Sequence, residues 1–265
     1  MKKTYPRILS IDCETAPISG YVWSLWQQNV SLNQINGEWS LLSFCAKWLG
    51  DDNSKIIYED NSKRRNKLDD SRLIKSLWKL LDEADIIIAH NGKRFDSKKI
   101  QARMFLLGFP PPSPYKIIDT LIETRKNFAM TSAKLEYLTD KMCTTKKSKH
   151  KQFPGFELWK ECLAGNQEAW DEMKAYNIDD VISMEEYYLL LRPWITGHPN
   201  VANYTSVAAE GPVCPNCGSE HVIRKGLRST QVGQYPRYHC QGCGAWSRGR
   251  LLANSKDQRK NLLVN

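Results

Sequence analysis

The first hydrophobic run, Ile8, Leu9 and Ile11 within residues 7–15, has the length of a buried strand and ends in two acids, Asp12 and Glu14. Residues 40–48 and 55–59 read as two further strands joined by a turn at Gly50-Asp51-Asp52-Asn53, so the chain opens with an antiparallel meander. Leu73, Ile74, Leu77, Leu80 and Leu81 then fall on one face of a helix that Asp70 or Ser71 is placed to cap. An apolar strand follows at 85–90, a helix at 98–107 stopped by Gly108 and Pro110-Pro111-Pro112, and a last strand at 116–118. Helices are expected at 120–128, 133–142, 156–163 and 167–191. A meander followed by alternating helix and strand is an α/β sandwich with a mixed sheet.

Two stretches lack periodicity. Residues 18–38 are polar yet contain Trp23 and Trp26, with Trp39 beside them; the aromatics are expected to be buried in packing, with a loop near a site as the alternative. Residues 144–152 hold Lys146, Lys147, Lys149, His150 and Lys151 and are expected to be mobile and solvated, or to grip a nucleic-acid backbone.

A chain of 265 residues can bury one large core plus a small module that needs a staple. Its apolar runs are too short to span a membrane, and Met1-Lys2-Lys3 leads into a strand without a signal-peptide core, so a soluble, cytoplasmic protein with no membrane partner is expected. The net charge is +9, and from Val201 onward nine Lys or Arg face only Glu210, Glu220 and Asp257. That bias suits a phosphate-backbone partner.

Asp12 and Glu14 are two apart on a strand, so both project from one side of the sheet, near its edge. Like charges held that closely repel unless a cation lies between them, and rigid oxygen ligands favour magnesium or manganese. Further acids are Asp96, at a strand-to-helix junction, and Asp180, four residues after Tyr176 on one helix face. Asp119 is either a fifth acid or, more simply, the N-cap of the helix after the last strand.

Asp-x-Glu on the first strand, Asn91-x-x-x-Phe95-Asp96 after the fourth and Tyr176-x-x-x-Asp180 on a late helix resemble the three motifs of the DEDD exonucleases, which share a ribonuclease H-like fold. The tyrosine is similar to that of the DEDDy subgroup, to which the proofreading domains of DNA polymerases belong. The likeness covers residues 7–194. It implies a five-stranded mixed sheet flanked by helices, and a 3′-to-5′ exonuclease in which Asp12, Glu14, Asp96 and Asp180 hold two Mg²⁺ or Mn²⁺ about 3.5–4 Å apart. Tyr176, a poor base with a reference pKa near 10, would orient the attacking water. Thr15, Asn91 and Phe95 become substrate contacts, with a turn-forming role for Asn91 and core packing for Phe95 as the structural alternatives. Single-stranded DNA 3′ ends are the expected substrate. Ribonuclease or structure-specific endonuclease activity on the same fold, and a catalytically silent adaptor, are the alternatives.

Cys214-Pro-Asn-Cys217-Gly and Cys240-Gln-Gly-Cys243-Gly are two C-x-x-C pairs separated by twenty-two residues. Four thiolates suit one tetrahedral zinc, and the glycine after each pair permits the positive φ that brings N–H groups to sulfur. A redox dithiol would need one pair and a thioredoxin-like context. The module resembles the zinc ribbons of transposase-associated and phage proteins. Too small to fold alone, it takes its stability from the metal, and its cations and aromatics suit nucleic acid, with a protein partner as the other use. The expected domains are 1–197 for the exonuclease, 198–211 as linker, 212–250 for the zinc ribbon and 251–265 as a flexible basic tail.

Overall fold

A computed structural model of the chain describes residues 5–146, 152–205 and 209–264. It consists of two compact units, Arg7–Tyr188 and a second assembled from Met1–Pro6 with Leu189–Asn265.

The larger unit begins with β1 (Ile8–Thr15), the short strands β2 (Ser19–Gly20) and β3 (Ile35–Gly37), then β4 (Leu41–Trp48) and β5 (Ile57–Asp60). Next come α1 (Ser71–Glu83), β6 (Ile86–Ala89), α2 (Asp96–Leu106), β7 (Lys116–Asp119), α3 (Thr120–Asn127), α4 (Leu135–Met142), α5 (Glu157–Ala164) and α6 (Gln167–Leu191). Five strands form one sheet in the order β5-β4-β1-β6-β7, antiparallel from β5 to β1 and parallel from β1 to β7. This is the mixed sheet the pattern predicts. β1 is its central strand, so Asp12 and Glu14, in the C-terminal half of that strand, do not lie on a lateral edge.

The two-residue period of β1 sorts its side chains between two helix layers. Leu9, Ile11 and Cys13 pack with Leu73, Ile74, Leu77 and Leu81 of α1 and Ile100 and Met104 of α2. Each of those buried α1 side chains contributes roughly 1.5–3 kcal/mol. Ser10, Asp12 and Glu14 face the other way, as do Lys47, Cys45 and Ser43, their cross-strand partners on β4. On that side Lys47 Nζ pairs with Glu185 of α6 at 2.7 Å. A second core joins Leu42 to Leu158 and Cys162 of α5 and Ala169, Trp170 and Met173 of α6.

Three local expectations are corrected. Asp70 occupies the cap position of α1 but makes no cap hydrogen bond. Its buried carboxylate accepts from Leu41 N at 2.9 Å and from Arg103 Nε and Nη2 at 2.7 Å each, a bidentate pair that ties β4 to α2. Trp39 packs against the first core, but Trp23 and Trp26 are 95% and 83% exposed. The segment around them forms only β2, β3 and a three-residue 3₁₀ turn, too little structure to bury them. Helix α2 starts at Asp96, two residues early. The chain turns tightly through Asn91, at φ +66°, and Gly92, where a Cβ would stand 2.3 Å from that of Ala89.

Lys146 Nζ caps the end of α4 through Thr139 O and Asp140 O, at 3.2 and 2.6 Å. The rest of the basic segment, 147–151, lies outside the described residues.

In the smaller unit β8 (Val222–Ser229), β9 (Gln234–Cys240) and β10 (Trp246–Arg248) form an antiparallel sheet in the order β10-β9-β8. Within the segment read as a linker, Val201–Tyr204 is a 3₁₀ turn whose buried Val201 donates to Pro215 O at 2.9 Å; residues 206–208 lie outside the described residues. The segment read as a tail carries a short helix at Lys256–Arg259, because Ser255 and Gln258 form a capping box. Among the described residues no helix is long and apolar enough to cross a membrane.

Candidate active site and metal centres

Strand β1 and helix α6 bring three acids together. Asp12, Glu14 and Asp180 each offer a carboxylate oxygen, all within 4.8 Å of one another. Asp12 and Glu14 are half-buried and Asp180 is buried, so their charges sit where water screens them poorly. Such a donor set is hard, anionic and rigidly mounted, which fits divalent magnesium or manganese.

Asp96 stands beside this cluster without joining it. Its Oδ1 accepts from Cys13 N at 3.2 Å, on the stretch of β1 between the two first-strand acids. Burial, with Asp119 nearby, pushes its carboxyl up to about 7. A cation close by would favour its charged form.

One cavity opens beside Glu14 and a second beside Tyr176. The first, of about 580 Å³, is lined by Glu14, Thr15, Trp39, Phe95, Lys99 and Trp159. Lys99 Nζ lies 3.7 Å from the centre of the Trp39 ring, so a cation and an aromatic face share one wall. The other, of about 920 Å³, is lined by His90, Asn91, Arg125, Phe128, Lys134 and Tyr176. Thr15 and Phe95 thus meet beside Glu14, while Asn91 accompanies Tyr176 in a separate cavity. Phe95 is 38% exposed, on the wall of the first cavity.

Residues 36–191 match the RNase_H superfamily, a span that includes Asp96, Tyr176 and Asp180 and begins after Asp12 and Glu14. The chain belongs to that superfamily. Among solved structures, the family B DNA polymerase of the hyperthermophilic archaeon Pyrobaculum calidifontis is similar at 16% identity and a TM-score of 0.48, over 71% of this chain and 25% of that one. The chain therefore spans about a quarter of that polymerase's length. No curated protein matches.

Two further residues of this RNase_H superfamily chain organise its site. Asn177, fully buried on α6, donates from Nδ2 to Asp12 Oδ2 at 2.6 Å and accepts from Ser43 Oγ at 3.2 Å. It fixes the rotamer of Asp12. Its place three residues before Asp180, on the same helix face, was the available signal. Asp119 is the N-cap of α3, accepting from Leu121 N and Ile122 N, and it also accepts from Asn91 N at 3.1 Å and Lys93 N at 3.0 Å. One carboxylate therefore starts a helix and braces the loop that carries Asn91.

In the smaller unit, Cys214, Cys217, Cys240 and Cys243 offer four sulfurs within 4.8 Å of one another. Cys214 and Cys243 sulfurs are 3.7 Å apart and those of Cys217 and Cys240 3.6 Å apart. Ligands about 2.3 Å from the centre of a tetrahedron have edges of about 3.8 Å, close to these separations, so the cluster fits a zinc ribbon. Gly218 and Gly244 adopt φ +75° and +82°, and their N–H groups donate to Cys214 O and Cys240 O. Burial opposes ionisation of Cys240, yet the Cys243 and Gly242 N–H groups, with the Cys217 and Cys214 thiols, bring it down to about 7. Burial and the neighbouring thiols push Cys214 up to about 11 and Cys243 higher still, so the four sulfurs share thiolate charge unequally unless a cation neutralises it.

Proposed function

We propose that the chain is a DEDDy-type 3′-to-5′ exonuclease that hydrolyses phosphodiester bonds of single-stranded DNA ends, with one zinc holding the ribbon. The observation that carries the reading is that Asp180, distant in the chain, converges on Asp12 and Glu14, with Asp96 hydrogen-bonded to the strand between those two. Divalent ions bound there would supply charge neutralisation for the scissile phosphate and acidify the attacking water. The protein's part is positional. Asn177 sets Asp12, the β1 pleat sets Glu14, and Asp180 and Tyr176 lie on one face of α6. From its cavity the Tyr176 hydroxyl orients water by a hydrogen bond.

Thr15 and Phe95, beside Glu14, suit the sugar and base of a terminal nucleotide, and the cavity with Arg125 and Lys134 suits the adjoining phosphates. A reduced cysteine cluster accords with work in a bacterial or phage-infected cytoplasm. The test is a panel of 5′-labelled single strands, duplexes, RNAs and closed circles with Mg²⁺ or Mn²⁺. Ladders that shorten from the 3′ end, strongest on single-stranded DNA, support the proposal. Cleavage of circles, internal cuts or preference for RNA would replace it with one of the other nuclease activities, and no cleavage at all would leave an adaptor.

A further inference from the structure

The ribbon sheet has two unlike faces. On the back, Val222, Cys240 and Ala245 pack with the remaining cysteines around the cluster. Cross-strand register puts Ile223 and Arg228 of β8, Tyr235, Arg237 and His239 of β9, and Trp246 and Arg248 of β10 together on the front. The three strands contain no carboxylate.

Rings and cations alternate across that front. His239 stacks on Trp246 with centroids 4.6 Å apart; Arg237 lies 4.8 Å from the Trp246 ring centre and Arg248 4.2 Å from that of Tyr235. Arg237 is held in place from below. A bulge at Lys225 and Gly226, the latter at φ +73°, turns the Lys225 carbonyl toward it, and Arg237 Nε donates there at 2.9 Å. Trp246 nevertheless remains 50% exposed.

We infer that this front face is a stacking platform for the unpaired bases of a single-stranded nucleic acid, with Tyr235, His239 and Trp246 meeting the bases and Arg228, Arg237 and Arg248 the phosphates. A cationic, carboxylate-free surface complements a polyanion, and ring faces accept any unstacked base but none sealed inside a duplex. The inference deepens the nucleic-acid reading above and rests on it for the choice of occupant. Binding through this face is weakly sequence-dependent.

The test uses the full zinc-loaded chain carrying Asp180→Asn to suppress turnover, with a fluorescein-labelled oligothymidylate read by anisotropy across a salt series. Trp246→Ala should weaken binding roughly tenfold. Arg237→Gln with Arg248→Gln, which keeps the rings, should lower the salt slope by about 1.4. Zinc content measured on each variant shows that the ribbon is intact. An iododeoxyuridine oligomer should crosslink within β9 and β10. Unchanged affinity and slope, with crosslinks confined to residues 7–188, would overturn the inference. Those readouts need no cleavage, so they fail or succeed separately from the nuclease assay.

Discussion

Asn177 donates to Asp12 at 2.6 Å, from a buried helix position to a half-buried strand acid. Partners that orient a metal-binding carboxylate typically matter ten- to a hundredfold. Asn177→Ala is expected to reduce turnover by about that factor and to raise the Mn²⁺ concentration needed for half-maximal activity. Steady-state rates over a Mn²⁺ titration check this, and an unaltered Mn²⁺ requirement would reduce Asn177 to a packing residue.

Replacing Asp12 or Asp180 by Ala should abolish hydrolysis while leaving oligonucleotide binding largely intact, since each removes a carboxylate from the cluster; Asp12→Ala also takes the carboxylate acceptor from the buried Asn177 amide. Retained turnover in either variant would exclude it as a ligand. Tyr176→Phe should keep part of the activity, because the acids survive the loss of one orienting hydroxyl. Single-turnover rates separate the two cases.

Asp119 caps α3 and braces the Asn91 loop, so Asp119→Ala should cost roughly 1–2 kcal/mol of stability. Urea unfolding measures that cost. The same variant should raise KM for the oligonucleotide more than it lowers kcat, because Asn91 loses its position while the acids keep theirs.

Much of this was legible in the chain itself. Alternation over Ile8 to Glu14 specifies which side chains of β1 meet the first core and which meet α6, and the paired C-x-x-C spacing specifies the sulfur cluster. Less legible was anything that depended on a partner distant in sequence. Asn177 shares a helix face with Asp180, but its hydrogen bond is visible only once Asp12 arrives opposite it, and Asp70 looks like a cap until Arg103 claims its carboxylate. Trp23 and Trp26 misled because aromatic content signals burial only where a second element exists to cover it.

The cysteine cluster should bind one equivalent of zinc, and Cys214→Ser should abolish that binding. Strands β8 to β10 should then lose amide-exchange protection, because their back face packs mainly on the cysteines. The core of Arg7–Tyr188, built from its own helices and sheet, should keep its protection. Protection of β8 to β10 that persists without zinc would mean the ribbon is held by something other than metal.

The most direct measurement is anomalous diffraction at the manganese edge from crystals soaked in MnCl₂ with a short single-stranded oligonucleotide. Two peaks about 3.5–4 Å apart, bounded by Asp12, Glu14, Asp180 and Asp96 and bridged by a phosphate, are the predicted result. A map with no peak at these acids, in crystals where the oligonucleotide is bound, would contradict a metal-dependent nuclease centre.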